Sequence, residues 1–169
     1  IKQDAFKSCT KLTSVNFDAM NGSIGTAAFA LCKSFTSVSF PAMEGNIEYQ
    51  AFWNCEKLTT VSFPLMTGDI KENAFEECTS LTSVVLGSGN IHTDAFVDCP
   101  LEHISSPNRT ARMQALSLDF GQFNDTLKTV SFPKATRDIK QDAFKSCTKL
   151  TSVNFDSING NNRKRAYDL

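Results

Sequence analysis

Side chains that anchor partners or carry chemistry are scarce in this sequence. It holds one Trp, two Tyr and two His in 169 residues, and 17 Lys and Arg face 18 Asp and Glu. A formal net charge of −1 offers no basic field for nucleic acid or for an anionic membrane surface. No apolar run approaches the roughly 18 residues of a membrane-spanning helix. Gly-rich phosphate loops, nucleophile elbows and paired-carboxylate motifs are all missing. These gaps argue against an enzyme, a cofactor, a metal site, a nucleic-acid partner or membrane insertion. The chain opens on Ile1, with no Met and no charged-then-apolar leader. That reads as a processed terminus or as a piece of a longer chain, so it says little about secretion.

Phenylalanine is what the chain has in quantity, 14 residues, and a repeat arranges it. Ile1, Ile24, Ile47 and Ile70 each open a near-copy of one phrase: IKQDAFKSCTKLTSVNF, IGTAAFALCKSFTSVSF, IEYQAFWNCEKLTTVSF and IKENAFEECTSLTSVVL. The steps are 23 residues each. A further copy begins 21 residues on at Ile91, and the next clear one 48 residues later at Ile139. Those two steps sum to three times 23, so a degenerate repeat lies at about 113–138. It keeps a strand phrase from Leu127 to Pro133, and its opening half, ARMQALSLDFGQF, reads as a helical turn or two. A bulge or longer loop is expected near Pro107 to Arg112. The reading is one solenoid of about six repeats over residues 1–160, followed by a polar basic tail, 161–169.

Each repeat has two halves. Ile1, Ala5, Phe6 and Cys9 fall on one helical face. Leu12, Val15 and Phe17 then carry a short strand, alternating with Ser14 and Asn16. Pro41, Pro64 and Pro133 stop the strand, and Gly22, Gly45 and Gly68 turn the chain back. The expected fold is an α/β repeat solenoid: a leucine-rich-repeat horseshoe with a parallel concave sheet and short helices on the convex side. One Phe ladder is Phe6, Phe29, Phe52, Phe75, Phe96 and Phe144. A second is Phe17, Phe40, Phe63, Phe132 and Phe155, with Leu86 in the missing rung. Met20, Met43, Met66 and Ile158 form another apolar column. Cys9, Cys32, Cys55, Cys78, Cys99 and Cys147 share one repeat position. A one-per-rung column reads as buried free thiols used as small apolar groups rather than as a metal site or a disulfide frame.

The phrase I-x-x-x-A-F-x-x-C-x-x-L-x-x-V-x-F-P resembles the BspA-like class of leucine-rich repeats. The resemblance covers almost the whole chain apart from roughly 105–126 and the last nine residues. It implies the horseshoe fold, and it implies surface adhesins or host-matrix binders in some settings. The ladder positions that carry it are structural.

The candidate interaction surface is therefore sought on outward strand positions: Ser14, Asn16, Ser37, Ser39, Thr60, Ser62, Ser83, His103, Ser105, Thr129, Ser131, Ser152 and Asn154, with Val85 among them. This is a band of short hydroxyl and amide groups without Trp, Tyr or Arg anchors. It reads either as plain β-propensity and solubility or as a shallow surface for a protein or glycan. Trp53 stands where other copies have Lys7, Ala30, Glu76, Val97 and Lys145. That places it on the convex surface, as a contact or packed against Tyr49. His103 falls beside Glu102, an exposed polar pair with no nucleophile tied to it. Three N-x-[ST] sequons begin at Asn21, Asn108 and Asn124. Residues 1–22 and 139–160 match at 20 of 22 positions, the mark of a duplicated block, and the opening repeat lacks a polar cap. Two functions remain. The first is a secreted or cell-surface module that binds protein or glycan. The alternative is a cytoplasmic structural or scaffold element that stacks end to end or docks in a larger intracellular assembly.

Overall fold

The computed structural model describes residues 1–108, 120–134 and 144–155. Six three-residue strands form one parallel sheet in chain order: β1 (Ser37–Ser39), β2 (Thr60–Ser62), β3 (Ser83–Val85), β4 (His103–Ser105), β5 (Thr129–Ser131) and β6 (Ser152–Asn154). Pairing in chain order means that each repeat is one rung laid on the last. Rungs 1 to 5 open at Ile1, Ile24, Ile47, Ile70 and Ile91; rungs 6 and 7 carry β5 and β6. Register is uniform, with Val38, Val61, Val84, Ile104, Val130 and Val153 in one column. A slip of one residue would turn that column out of the core. On the far side of each rung, Ile24, Ile47, Ile70 and Ile91 pair in parallel as a second, one-residue-wide ladder.

The convex arc is not helical, which corrects the expectation of short helices. Among the described residues the only helical segments are two 3-10 turns, Thr93–Phe96 and Phe120–Phe123. Alternate amides explain the difference. In rung 1 the N–H groups of Ala5, Lys7 and Cys9 bond within the arc, to Lys2, Asp4 and Phe6. Those of Asp4, Phe6 and Ser8 instead reach the carbonyls of Thr26, Ala28 and Ala30 in rung 2. Rungs 2 and 3 repeat the scheme. Left-handed backbone at Asp4 and Ser8, Ala27 and Leu31, Gln50 and Asn54, and Asn73 and Glu77 makes it possible. Such a conformation costs a non-glycine residue roughly 1–2 kcal/mol. It breaks any helix every fourth residue, yet it aims an N–H at the next rung, so no buried donor is stranded. The apolar spacing of Ile1, Ala5, Phe6 and Cys9 suits this arc as well as it suits a helix.

A polar ladder closes each turn. The side-chain oxygen of Ser23 accepts from the Asn46 N–H, Asn46 Oδ1 from the Asp69 N–H, and Asp69 Oδ1 from the Asn90 N–H, at 2.9–3.1 Å. The residue before each Ile thus satisfies the backbone of the rung above it.

The core is built of columns. Rings of Phe6, Phe29, Phe52, Phe75 and Phe96 stack nearly parallel, 5.0–5.2 Å apart. In rung 6 the column continues with Phe120, 4.7 Å from Phe144. Phe123 follows Phe120 by three residues and so takes the place that Cys holds elsewhere. The second column runs Phe17, Phe40 and Phe63, then Leu86, then Ser106, and resumes at Phe132 and Phe155. Ser106 is fully buried and is tied down by Oγ to the Gly87 carbonyl at 2.8 Å. Rung 4 is two residues shorter than rung 3, and its turn lies hard against it. A Cβ on Gly87 or Gly89 would sit 1.9 or 1.6 Å from the carbonyl oxygens of Met66 and Gly68. Met43 and Met66 are buried as expected, and Met20 is half-buried.

Rung 1 departs from the expected pattern in one respect. Ser14 to Asn16 form no strand; the Thr36 N–H reaches the Thr13 carbonyl at 3.4 Å and the pairing goes no further. The expected loop at Pro107 to Arg112 is described only as far as Asn108. Of the opening half of the degenerate repeat only Phe120–Phe123 is described, as one 3-10 turn; Ile139, Ile158 and the basic tail lie outside the described residues. No described helix is long and apolar enough to cross a membrane.

Candidate functional site

The strands leave one face of the sheet to solvent. Each centres on a Val or Ile turned inward, so its first and third residues turn out. One outward column is Ser37, Thr60, Ser83, His103, Thr129 and Ser152; the other is Ser39, Ser62, Val85, Ser105, Ser131 and Asn154. Strands lie about 4.8 Å apart and alternate residues about 6.6 Å, so these groups form a regular grid. Ser37, Ser39, Thr60, His103, Ser152 and Asn154 are exposed, and Ser62, Ser83, Ser105, Thr129 and Ser131 are half-buried. Ser14 and Asn16 are exposed but stand outside the sheet.

A third column borders the grid and was missed in the sequence. It is Thr36, Thr59, Thr82, Glu102, Lys128 and Thr151, the residues just before each strand. Thr59 and Thr151 turn their hydroxyls to the carbonyls of Thr36 and Lys128, at 2.9 and 3.1 Å. The threonines thus brace the backbone. The run breaks in rungs 5 and 6, where Lys128 Nζ lies 2.8 Å from Glu102 Oε2. His103 joins them, Nε2 3.7 Å from the same oxygen and Nδ1 2.8 Å from Thr129 Oγ1. The Lys128 ammonium holds the Glu102 carboxyl below its ordinary value, with His103 and Lys149 adding to the pull. Glu102, His103, Lys128 and Thr129 are the one charged cluster among the described residues of this face. The signal was legible: Thr stands at this position in every other copy.

Trp53 lies on the opposite arc and is half-buried, while Tyr49, four residues before it, is 43% exposed. Trp53 is therefore partly packed and partly open to solvent. Of the sequons, Asn21 is exposed. Asn108 donates Nδ2 to the Pro64 carbonyl across the short rung 4, at 3.2 Å. Asn124 is half-buried, its Oδ1 3.8 Å from the Cys147 thiol.

The buried thiols of the cysteine column offer no nucleophile. None of the six cysteines forms a disulfide, and all but Cys9 are buried. Cys32, Cys55, Cys78 and Cys99 each donate to the carbonyl of the Phe one rung back, at 3.0–3.2 Å. Burial, with Cys55 alongside, pushes the Cys32 thiol up to about 12. Cys55 is raised by its bond to Cys78 and by burial, and Cys78 by burial foremost. A thiol kept protonated neither attacks nor ligates. Among the described residues no group of three or more His, Cys, Asp or Glu is placed to hold a metal ion.

Comparison with known families agrees with this architecture. The BspA type leucine rich repeat region matches residues 1–118 and 117–167, in six copies. The chain belongs to that family of repeat interaction modules. No curated protein matches it.

Proposed function

We propose that this BspA-type repeat chain binds a protein ligand across the open face of its sheet, without catalysis. The observation that supports this most is the face itself. Six strands in one register hold two columns of short polar side chains toward solvent, and one charged cluster interrupts them. Ser, Thr and Asn have little side-chain entropy to lose, and the sheet holds them in place, so a partner orders little on docking. Glu102, His103, Lys128 and Thr129 give the grid a polarity that fixes where along it a ligand sits. Trp53 is proposed as a second contact, since a half-open indole provides apolar area that the grid lacks. The surface association of such repeats supports a secreted or cell-surface setting.

The test is an array of immobilised extracellular-matrix proteins and of glycans, probed with the purified chain. Saturable binding to matrix proteins that is lost in Ser62→Arg supports the proposal. Binding confined to glycans replaces protein with carbohydrate as the ligand. Binding that Ser62→Arg leaves unchanged rejects the sheet face.

A further inference from the structure

The open face of the sheet carries its charge in one place. Over the six strands and the column just before them, the ionisable side chains are Glu102, His103 and Lys128 alone. Lys128 Nζ lies 2.8 Å from Glu102 Oε2. Lys149, two residues before Thr151 on rung 7, is exposed and stands close enough to add to the pull on the same carboxyl. It forms no ion pair of its own among the described residues. Two ammonium groups therefore share one carboxylate, and one positive charge is left unmatched beside the imidazole. Hydroxyls adjoin it: Thr129 Oγ1 is 2.8 Å from His103 Nδ1, and Ser131 turns outward on the same strand. The arc behind has the opposite sign. There Glu76 is raised by burial and by the carboxylates of Glu77, Asp98, Asp94 and Glu72. An anion is thus repelled from the arc of rungs 4 and 5 and drawn to the sheet face of rungs 5 to 7.

We propose that Lys128 and Lys149, with the Thr129 and Ser131 hydroxyls beside them, form a subsite for an Asp or Glu side chain of the protein ligand. This rests on the sheet face as the binding surface and names the chemistry that the face selects. Glu102 acts in it as a resident competitor. In the free chain it occupies the Lys128 ammonium and holds that side chain over the grid. A ligand carboxylate shares or displaces it, and Lys149 supplies the charge that Glu102 does not match. The hydroxyls donate to whatever oxygen lone pairs the ammonium groups leave open. A protein segment fits better than a sulfated polysaccharide. β1, β2 and β3 and the column before them carry no cation, so a chain charged along its whole length would find one match and then a neutral lattice. A peptide with one acidic residue among polar ones meets the charge at rungs 5 to 7 and hydroxyls elsewhere. The isolated charge also acts against wrong partners, since a basic side chain placed there faces two ammonium groups.

An NMR shift titration of the isotope-labelled 169-residue chain at low salt tests this. The probes are a soluble peptide of Gly, Ser and Glu, its counterpart with Gln for Glu, and heparin. Circular dichroism confirms that each variant is folded. The Glu peptide is expected to move the signals of His103 and Thr129, and the Gln peptide to leave them in place. Lys128→Glu and Lys149→Glu are each expected to weaken the Glu peptide by at least about threefold. Lys145→Glu makes the same charge change at an exposed residue of the rung 7 arc and is expected to leave binding unchanged. Glu102→Gln removes the competitor and is expected to tighten binding by at least about twofold, whereas a merely structural Glu102 would weaken it when replaced. Equal binding of the Glu and Gln peptides, a Lys128→Glu variant that binds like the parent, or a Glu102→Gln variant that binds no tighter overturns the proposal. Saturable binding of heparin without the Glu peptide overturns it in favour of a sulfated polysaccharide. The sheet-face reading fails separately. If Ser62→Arg abolishes binding to matrix proteins while Lys128→Glu and Glu102→Gln do not alter it, the face stands and the acidic subsite falls. If Ser62→Arg is silent there while the peptide titration gives the expected order, the subsite stands and the wider face falls.

Discussion

The thiol of Cys55 donates to the carbonyl of Phe29, 3.2 Å away and one rung back. The same bond recurs at Cys32, Cys78 and Cys99, so the cysteine column works as a set of small, buried, weakly polar braces. Cys9 alone is exposed. In native conditions at pH 8, one thiol per chain is therefore expected to react quickly with a water-soluble disulfide reagent, with the others reacting only on unfolding. Two or more fast thiols would contradict the buried column. The pH dependence follows from the same burial. Cys32 titrates higher when folded than its ordinary 9.0, at about 12. Its contribution is complete below pH 9 and is lost as pH rises from there toward 12. Denaturant midpoints should accordingly fall over that interval.

Phe52 is the middle of the longest Phe stack, with Phe29 at 5.2 Å and Phe75 at 5.0 Å. Cutting it to alanine removes ring contacts to both neighbouring rungs and leaves a cavity that two stacked backbones resist closing. Phe52→Ala is expected to cost ~3–5 kcal/mol in a urea melt. A loss below ~1 kcal/mol would mean that the stack does not carry the core.

The short rung 4 depends on the absence of a side chain. A Cβ at Gly89 would stand 1.6 Å from the Gly68 carbonyl oxygen, whereas nothing lies within 4 Å of one at Gly22. Gly89→Ala must push two rungs apart, and ~1–3 kcal/mol of destabilisation is expected. Gly22→Ala is expected to stay within about 0.5 kcal/mol of the parent. Equal effects at the two sites would show that rung 4 does not pack as described.

Much of this was legible in the sequence, for a physical reason. A repeat samples the same environment in every rung, so Phe6, Cys9, Val15 and their equivalents identify the core by recurrence alone. Recurrence also identified the six strands and their outward positions, but it assigned rung 1 a strand that does not form. It did not give the arc. Ile1, Ala5, Phe6 and Cys9 satisfy a helical spacing, but that spacing records which side chains face inward and not where the amides go. Left-handed backbone at residues such as Ala27 and Leu31 is maintained by bonds to the next rung, and a single-rung pattern cannot show them. Ser106 was hidden by the irregular step, which masks its column. The charged cluster was visible as a break in the threonine column, yet each of its members alone looks like an ordinary surface residue.

Glu102 should report on Lys128. The ammonium is the main cause of the lowered carboxyl, so Lys128→Ala is expected to raise the Glu102 titration midpoint toward its ordinary value, as read by carboxyl carbon NMR. A depressed carboxyl adds stability above its unfolded value and loses it as pH falls through the folded one. For a group this open to water the effect belongs in the titration curve rather than the melt. An unchanged midpoint would mean that the pair is not formed in solution.

The most direct measurement is equilibrium binding of a ligand found on the matrix array to four chains: parent, Ser62→Arg, Trp53→Ala and Lys57→Glu, each verified as folded. Ser62 sits in the outward grid on β2, Trp53 on the opposite arc, and Lys57 is an exposed residue outside the grid. The expected result is a loss of at least about tenfold for Ser62→Arg, or ~1.4 kcal/mol, a smaller loss for Trp53→Ala and none for Lys57→Glu. Full affinity in Ser62→Arg would contradict the sheet face as the binding surface.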